Sequence, residues 1–441
     1  MKLRDKQIIQ LALPSILSNI TVPLLGLVDV AIVGHMGSPD YIGAIAVGGM
    51  AFNILYWIFA FLRMGTSGLT SQALGARDLT SVMHTLIRAL VIGLALAMGL
   101  LVLQQPIRWI IYSLIGPDEA VLSLATTYYN ICIYGAPAVL SLNSLTGWFI
   151  GMQDTKAPML IAISQNVVNI LASLWLVFVI GMKVEGVALG TVIAQYFGLL
   201  MGLFLWKQGY YRMHKYTCPE NIWERTALAR FFHVNKHIFL RTLCLVAVML
   251  YFTSAGARQG ELVLAANTIL MELYLLVSYV MDGFAFAGEA LGGRFIGAQN
   301  RRAFEELLKR LAFWTMIVAL AFTLVYAIFG RSILHLLTNE PEVISTANTY
   351  LYGASLVAIT GAAAFILDGI FIGATATRQM LMSVFMAALV FFILYFALRP
   401  VLGNHGLWLA YNAYLAFRGI VLYACLGNLK SQSFSKTCPS C

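Results

Sequence analysis

The chain has 441 residues, of which 60% are hydrophobic and only 11% charged, against roughly a quarter charged in soluble domains. That balance excludes a soluble globular protein and specifies an all-α polytopic membrane protein. The net charge of +9 is no footprint for nucleic acid: the basic residues fall in alternate connections between apolar stretches, as the positive-inside rule requires.

The opening residues, MKLRDKQIIQ, are basic and run into an apolar span with no small-residue cleavage pattern, so a retained first helix is expected rather than a removed signal. At about 20 apolar residues per span, helices are expected near residues 9–34, 41–75, 81–104, 119–150, 157–180 and 184–206. A long basic interruption follows, and six more helices are expected near 237–256, 262–297, 303–329, 343–372, 378–399 and 405–427. This divides the chain into an N-lobe (1–207), a cytoplasmic basic linker (208–236), a C-lobe (237–428) and a polar, disordered tail (429–441). Lys2, Arg4, Lys6, Arg77, Lys156, Arg294, Arg378 and Lys430 all fall on the linker's side, which places both termini in the cytoplasm.

The halves repeat. Adding 222 carries Gly75-Ala76 onto Gly297-Ala298, Gly34 onto Gly256, Ala44 onto Ala266, and Phe149-Ile150-Gly151 onto Phe371-Ile372-Gly373. An even number of spans per half makes the repeat parallel. The expected fold is therefore twelve transmembrane helices in two six-helix pseudo-symmetric lobes around a central cleft, the architecture of rocker-type secondary transporters.

The first helix carries the chemistry. Asp29 lies in ITVPLLGLVDVAIVGHMG, with the ten residues before it back to Asn19 uncharged and five uncharged residues after it before His35. A carboxylate at mid-membrane costs about 2.5–3.5 kcal/mol on insertion scales, so it is expected to face a polar cavity and bind a proton or cation. A snorkelling position at the outer interface is the competing placement. Pro14 and Pro23 on the same helix each remove a backbone hydrogen bond and provide bend points.

On helix five Asn166, Asn169 and Ser173 share one face by their i, i+3, i+7 spacing, and Thr191 follows on helix six. With Asp29 they form an oxygen cluster suited to H⁺ or Na⁺ if helix one packs beside this pair; without it, they read as interhelical glue. The C-half has Tyr251 where the repeat places Asp29, so the lobes are not equivalent. Instead it carries Glu272, Asp282 and Glu289 on helix eight and Asp368 on helix ten. Glu272 stands near mid-membrane as a substrate or ion candidate. Asp282, Glu289 and Asp368 lie toward the cytoplasmic side as gate or structural groups, with Arg294 or backbone as partners for Asp282 and Asp368.

Six cysteines provide no disulfide framework, and the terminal Cys438–Cys441 pair has no second CxxC or suitably spaced histidines. No catalytic residue, metal site or cofactor is expected: HExxH and GxSxG are absent.

The stretches NITVPLLGLVDVAIVGHMGS, FLRMGTSGLTSQALGARD, GWFIGMQDTKAPML, MDGFAFAGEALGGRFIGAQN and LDGIFIGATATRQM resemble the multidrug and toxic compound extrusion transporters, in their DNA-damage-inducible branch. The resemblance covers essentially the whole chain. It implies a twelve-helix bacterial inner-membrane exporter, monomeric, moving amphipathic and often cationic drugs or toxins outward in exchange for H⁺ or Na⁺. It further implies that Asp29 is the coupling acid, that Asn169 and Thr191 share its cation site, and that Pro14 bends on protonation. Ser173 stands where many relatives carry an aspartate, which weakens Na⁺ and favours H⁺. A lipid-linked saccharide flippase of the same superfamily is the other transport reading.

Overall fold

Backbone polar groups in a bilayer must be satisfied internally, and this chain does so with helices alone among the described residues. The computed structural model describes residues 3–34, 39–116, 119–217 and 222–434. Within the helices, the side chains of residues 3, 22–25, 27, 29, 30, 34, 39, 114, 115 and 120 lie outside the description. Pro23 and the Asp29 carboxylate are therefore outside the described residues, although both positions belong to the first helix.

The helices are α1 (Leu3–Gly34), α2 (Pro39–Ile58), α3 (Phe61–Gly75), α4 (Leu79–Val102), α5 (Gln104–Ile115), α6 (Glu119–Cys132), α7 (Ala136–Gly151), α8 (Lys156–Leu174) and α9 (Val184–Tyr210). They continue as α10 (Arg225–Ala257), α11 (Glu261–Gly297), α12 (Arg301–Leu337), α13 (Pro341–Gly373), α14 (Thr377–Leu402) and α15 (Asn404–Phe434). Ten helical runs are long and apolar enough to cross a membrane, among the described residues. The two further expected spans are α1 and the α6–α7 run, whose repeat counterparts α10 and α13 are both among those ten.

The repeat extends to backbone detail. Among the described residues, the non-glycine residues with left-handed φ are Arg77, Gln153, Gln299 and Thr375, two pairs at the 222 offset, each just past a helix end. Asp78 caps α4 through Ser81 N, and its counterpart Asn300 caps α12 through Ala303 N. A Cβ on Gly147 would fall 2.2 Å from the Arg63 carbonyl oxygen, and one on Gly369 would fall 2.2 Å from that of Ala285. Position 285 is 63 shifted by the repeat, so α3–α7 and α11–α13 make the same backbone-to-backbone contact.

Three expected spans differ in detail. The second breaks at Phe59–Ala60, where Phe59 N and Ala60 N bond three residues back, to Tyr56 O and Trp57 O, and α3 starts afresh. The fourth breaks at a 3-10 turn, Ile133–Gly135, just before Pro137. The last runs past residue 427 to Phe434, so that part of the expected disordered tail is helix. Its extension is held by Leu429, which is buried, by the Phe434 ring 5.5 Å from Phe304, and by Gln299 Nε2 donating to Ser433 O. Between spans, the unforeseen α5 displays Trp109 and Ile110 outward.

The chain forms two compact units. One comprises residues 17–74 and 78–231, the other 1–16, 75–77 and 232–441. The first is built on an aromatic and aliphatic core around Phe52, Tyr129 and Leu140; the second has its core around Phe252, Tyr326, Phe391 and Trp408. In the second unit the start of α1 is tied to α12: Asp5 is buried, accepts from Trp314 Nε1 at 3.2 Å and lies 3.8 Å from Arg310.

Candidate functional site

In the N-terminal unit, α8 and α9 come together over small residues. A Cβ on Gly190 would fall 2.3 Å from Ser173 Oγ and 2.9 Å from Ser173 N, so the helices touch at this level with no room for a longer side chain. That contact gives a steric reason for serine here, where the sequence resemblance leads one to expect a carboxylate. Immediately beyond Ser173 the helix loosens into a π turn, Trp175–Val179, a departure often found at functional positions.

The polar face expected from the spacing forms. Asn169 Nδ2 donates to Thr191 Oγ1 at 3.2 Å, and Thr191 Oγ1 donates to Val187 O at 3.0 Å. Asn169 and Ser173 are 2% and 0% exposed, yet Asn169 Oδ1 and Ser173 Oγ have no hydrogen-bond partner among the described residues. Natively buried polar atoms are almost always paired, so two orphaned oxygens one turn apart mark a place prepared for another group. Asn166, on the same face, donates from Nδ2 to Thr21 O at 3.1 Å. This hydrogen bond joins α8 to α1. Pro14 is buried inside α1, which runs through it as helix.

In the C-terminal unit the acids disperse. Glu272 is exposed on α11, Asp282 is half-buried, and Glu289 is 1% exposed; the last two have interactions of their own. Asp368 does not pair with Arg294. It lies between Arg241 of α10 and Arg418 of α15, and both guanidiniums donate to its Oδ2. All three side chains are buried. Neither arginine was singled out in the sequence, although each is an isolated cation inside an apolar span, the same signal that drew attention to Asp29.

At the repeat position of Asp29, the Tyr251 ring meets Phe391 at 6.2 Å and Tyr395 at 5.5 Å. These are the repeat counterparts of Asn169 and Ser173. The C-terminal unit thus fills with aromatic rings the place where the N-terminal unit keeps polar groups.

A family model described as MatE matches twice, over residues 14–175 and 238–397, displaced by close to the offset found in the sequence. The DNA damage-inducible protein F of Escherichia coli K12 is 39% identical over 421 residues, 95% of this chain and 91% of that protein. A probable multidrug resistance protein NorM of Photorhabdus laumondii is 24% identical over 85% of this chain and 83% of its own length. Among solved structures, a MATE transporter in the bent conformation superposes with a TM-score of 0.86 at 20% identity, covering 98% of this chain and 97% of that one. An outward-facing multidrug resistance MATE transporter gives 0.85 at 19% identity with the same coverage. These two show the fold: all-helical, membrane-spanning and two-lobed. On the doubled family match and the 39% identity across nearly its full length, the chain belongs to the MatE family of multidrug and toxin efflux transporters.

Proposed function

We propose that this protein is a secondary antiporter that exports amphipathic, often cationic organic compounds in exchange for H⁺ by alternating access, with Asp29 as the coupling acid. The observation that carries the reading is the pair of orphaned oxygens, Asn169 Oδ1 and Ser173 Oγ, buried on the face of α8 that holds α1. Helices one and five cross the membrane in the same direction, with three spans between them. From the Asn166–Thr21 contact, Ser173 lies seven residues along α8 and Asp29 eight along α1, advances of about 10 and 12 Å by helical rise. These similar advances support a common depth for the two positions. The repeat supports the pairing, since Tyr251, Phe391 and Tyr395 meet at the corresponding positions.

Such a site suits a proton. A neutral carboxylic acid is a donor, which Asn169 Oδ1 can accept; a carboxylate is an acceptor, which the Ser173 hydroxyl can serve. Each protonation state satisfies a different orphan, so loading a proton changes which α8 group α1 is bound to. Pro14, and Pro23 by its sequence position, supply places where α1 can yield. The proton enters from the acidic outer side and is released inside, and substrate leaves in the opposite direction.

Na⁺ coupling is the second reading, favoured by the same oxygens as hard ligands. It has one carboxylate fewer than a charge-matched site, because Ser173 replaces an acid. We place the protein, acting as a monomer, in the bacterial inner membrane with both termini cytoplasmic; the charge distribution and the Escherichia coli relative support the location and orientation. Efflux from proteoliposomes under a pH gradient alone, and separately a Na⁺ gradient alone, tests the coupling: H⁺ exchange predicts transport in the first and none in the second.

A further inference from the structure

The Asp368 cluster has one acid against two bases. Arg241 and Arg418 are 5% and 4% exposed, and both use Asp368 Oδ2. The Nε atoms of both arginines, the Tyr414 hydroxyl and Asp368 Oδ1 are buried with no hydrogen-bond partner among the described residues. Three of these four orphans are donors. The Tyr414 ring lies 5.6 Å from the Arg418 guanidinium, and Arg418, Asp282 and Asp368 all act electrostatically on Tyr274. Asp282 is only half-buried and has interactions of its own.

A buried guanidinium whose charge is not matched is costly, and several orphaned polar atoms in one buried cluster point to a missing ion or water. Donors outnumber acceptors and positive charge is in excess, so the missing partner is negative. A carboxylate already facing two guanidiniums is poorly placed to receive a metal cation or a cationic drug.

We propose that the Arg241–Asp368–Arg418 cluster, with the Tyr414 hydroxyl, is a binding site for a monovalent anionic group, a halide or a carboxylate. The planar guanidinium forks suit a carboxylate. The group is either a free ion that completes the C-terminal unit or the acid end of a transported molecule. The site stands whether or not Asp29 carries the coupling proton.

The test is thermal unfolding of the purified protein in neutral detergent, titrated with tetramethylammonium chloride or benzoate against the sulfonate buffer salt of the same cation. The wild type gains stability saturably. Arg418→Gln leaves a one-to-one Arg241–Asp368 pair and binds at least about tenfold more weakly. Asp368→Asn raises the surplus charge and binds at least about tenfold more tightly, so that its unfolding temperature depends steeply on the anion. Should Asp368→Asn not fold, Arg241→Gln provides the second arm and weakens binding as Arg418→Gln does. Chloride alone identifies a free-ion site; benzoate, displaced by longer-chain carboxylates, identifies the acid end of a cargo. Equal affinity in wild type and Arg418→Gln, or no stabilisation of the wild type by either anion, overturns the proposal.

Discussion

Asn169 gives its amide to Thr191 Oγ1 at 3.2 Å and keeps its carbonyl oxygen unused, one turn below a serine hydroxyl that is equally buried and equally unused. One hydrogen bond fixes how the Asn169 amide is turned, and the turn aims the orphan acceptor away from α9. Thr191 is thus an orienting group, held in turn by its own bond to Val187 O. Thr191→Val should cost about 1 kcal/mol of stability and slow efflux by releasing the amide. Asn169→Ala should lower pH-driven efflux at least about tenfold, since about 1.4 kcal/mol is a factor of ten, while leaving expression in the membrane intact. Transport at wild-type rates by Asn169→Ala would show that this face of α8 is interhelical glue.

The two halves make a matched prediction in Gly147 and Gly369. Each would place a Cβ 2.2 Å from a carbonyl oxygen of the neighbouring helix, which no side-chain rearrangement can relieve. Alanine at either position should destabilise by about 1–3 kcal/mol or more through overpacking, by similar amounts in the two halves. Unfolding midpoints of the two variants, compared in one detergent, check it.

Thr375 occupies a left-handed backbone conformation, φ 54°, just past the end of α13. A β-branched residue is strained there by roughly 1–2 kcal/mol, and its counterpart Gln153 is at φ 66° without the branch. Thr375→Gly should therefore raise the unfolding temperature, and raise it more than Gln153→Gly. A lowered midpoint would show that contacts of the Thr375 side chain outweigh the strain.

Asp368 is the shared acceptor of two arginines, so its removal should be worse than removal of either base. Asp368→Ala leaves two buried guanidiniums without a counter-charge and should cost about 3–5 kcal/mol. Arg241→Gln or Arg418→Gln leaves one matched pair and should cost less. Comparing the three unfolding midpoints at fixed anion concentration decides it.

Span positions and the repeat were legible because both are written in hydropathy and in a constant offset. The breaks were not. Phe59–Ala60 and Ile133–Gly135 interrupt runs that stay apolar throughout, and their counterparts in α11 and α13 are continuous helix. Hydropathy cannot register a change of hydrogen-bond pattern inside an apolar segment. The continuation of α15 to Phe434 was hidden because the tail is polar overall, while Leu429, Phe434 and the Gln299–Ser433 hydrogen bond hold it. At the site, helical spacing put Asn166 and Asn169 on one face, and the structure adds the Asn169–Thr191 hydrogen bond. Arg241 and Arg418 could not be paired from sequence, because the acid that holds both lies on a different helix from either. The partner of Asp368 could not be chosen from sequence, since separation along the chain does not measure distance between packed helices: Arg418 is 50 residues from Asp368 and Arg241 is 127.

The central claim is that a proton on Asp29 drives export, and Asp29→Asn tests it most directly. Equal amounts of wild type and variant would be reconstituted, and substrate efflux measured under a pH gradient with Na⁺ absent. The account predicts that the variant, folded and inserted, loses efflux altogether while the wild type transports. Near-normal pH-driven efflux by Asp29→Asn would contradict it.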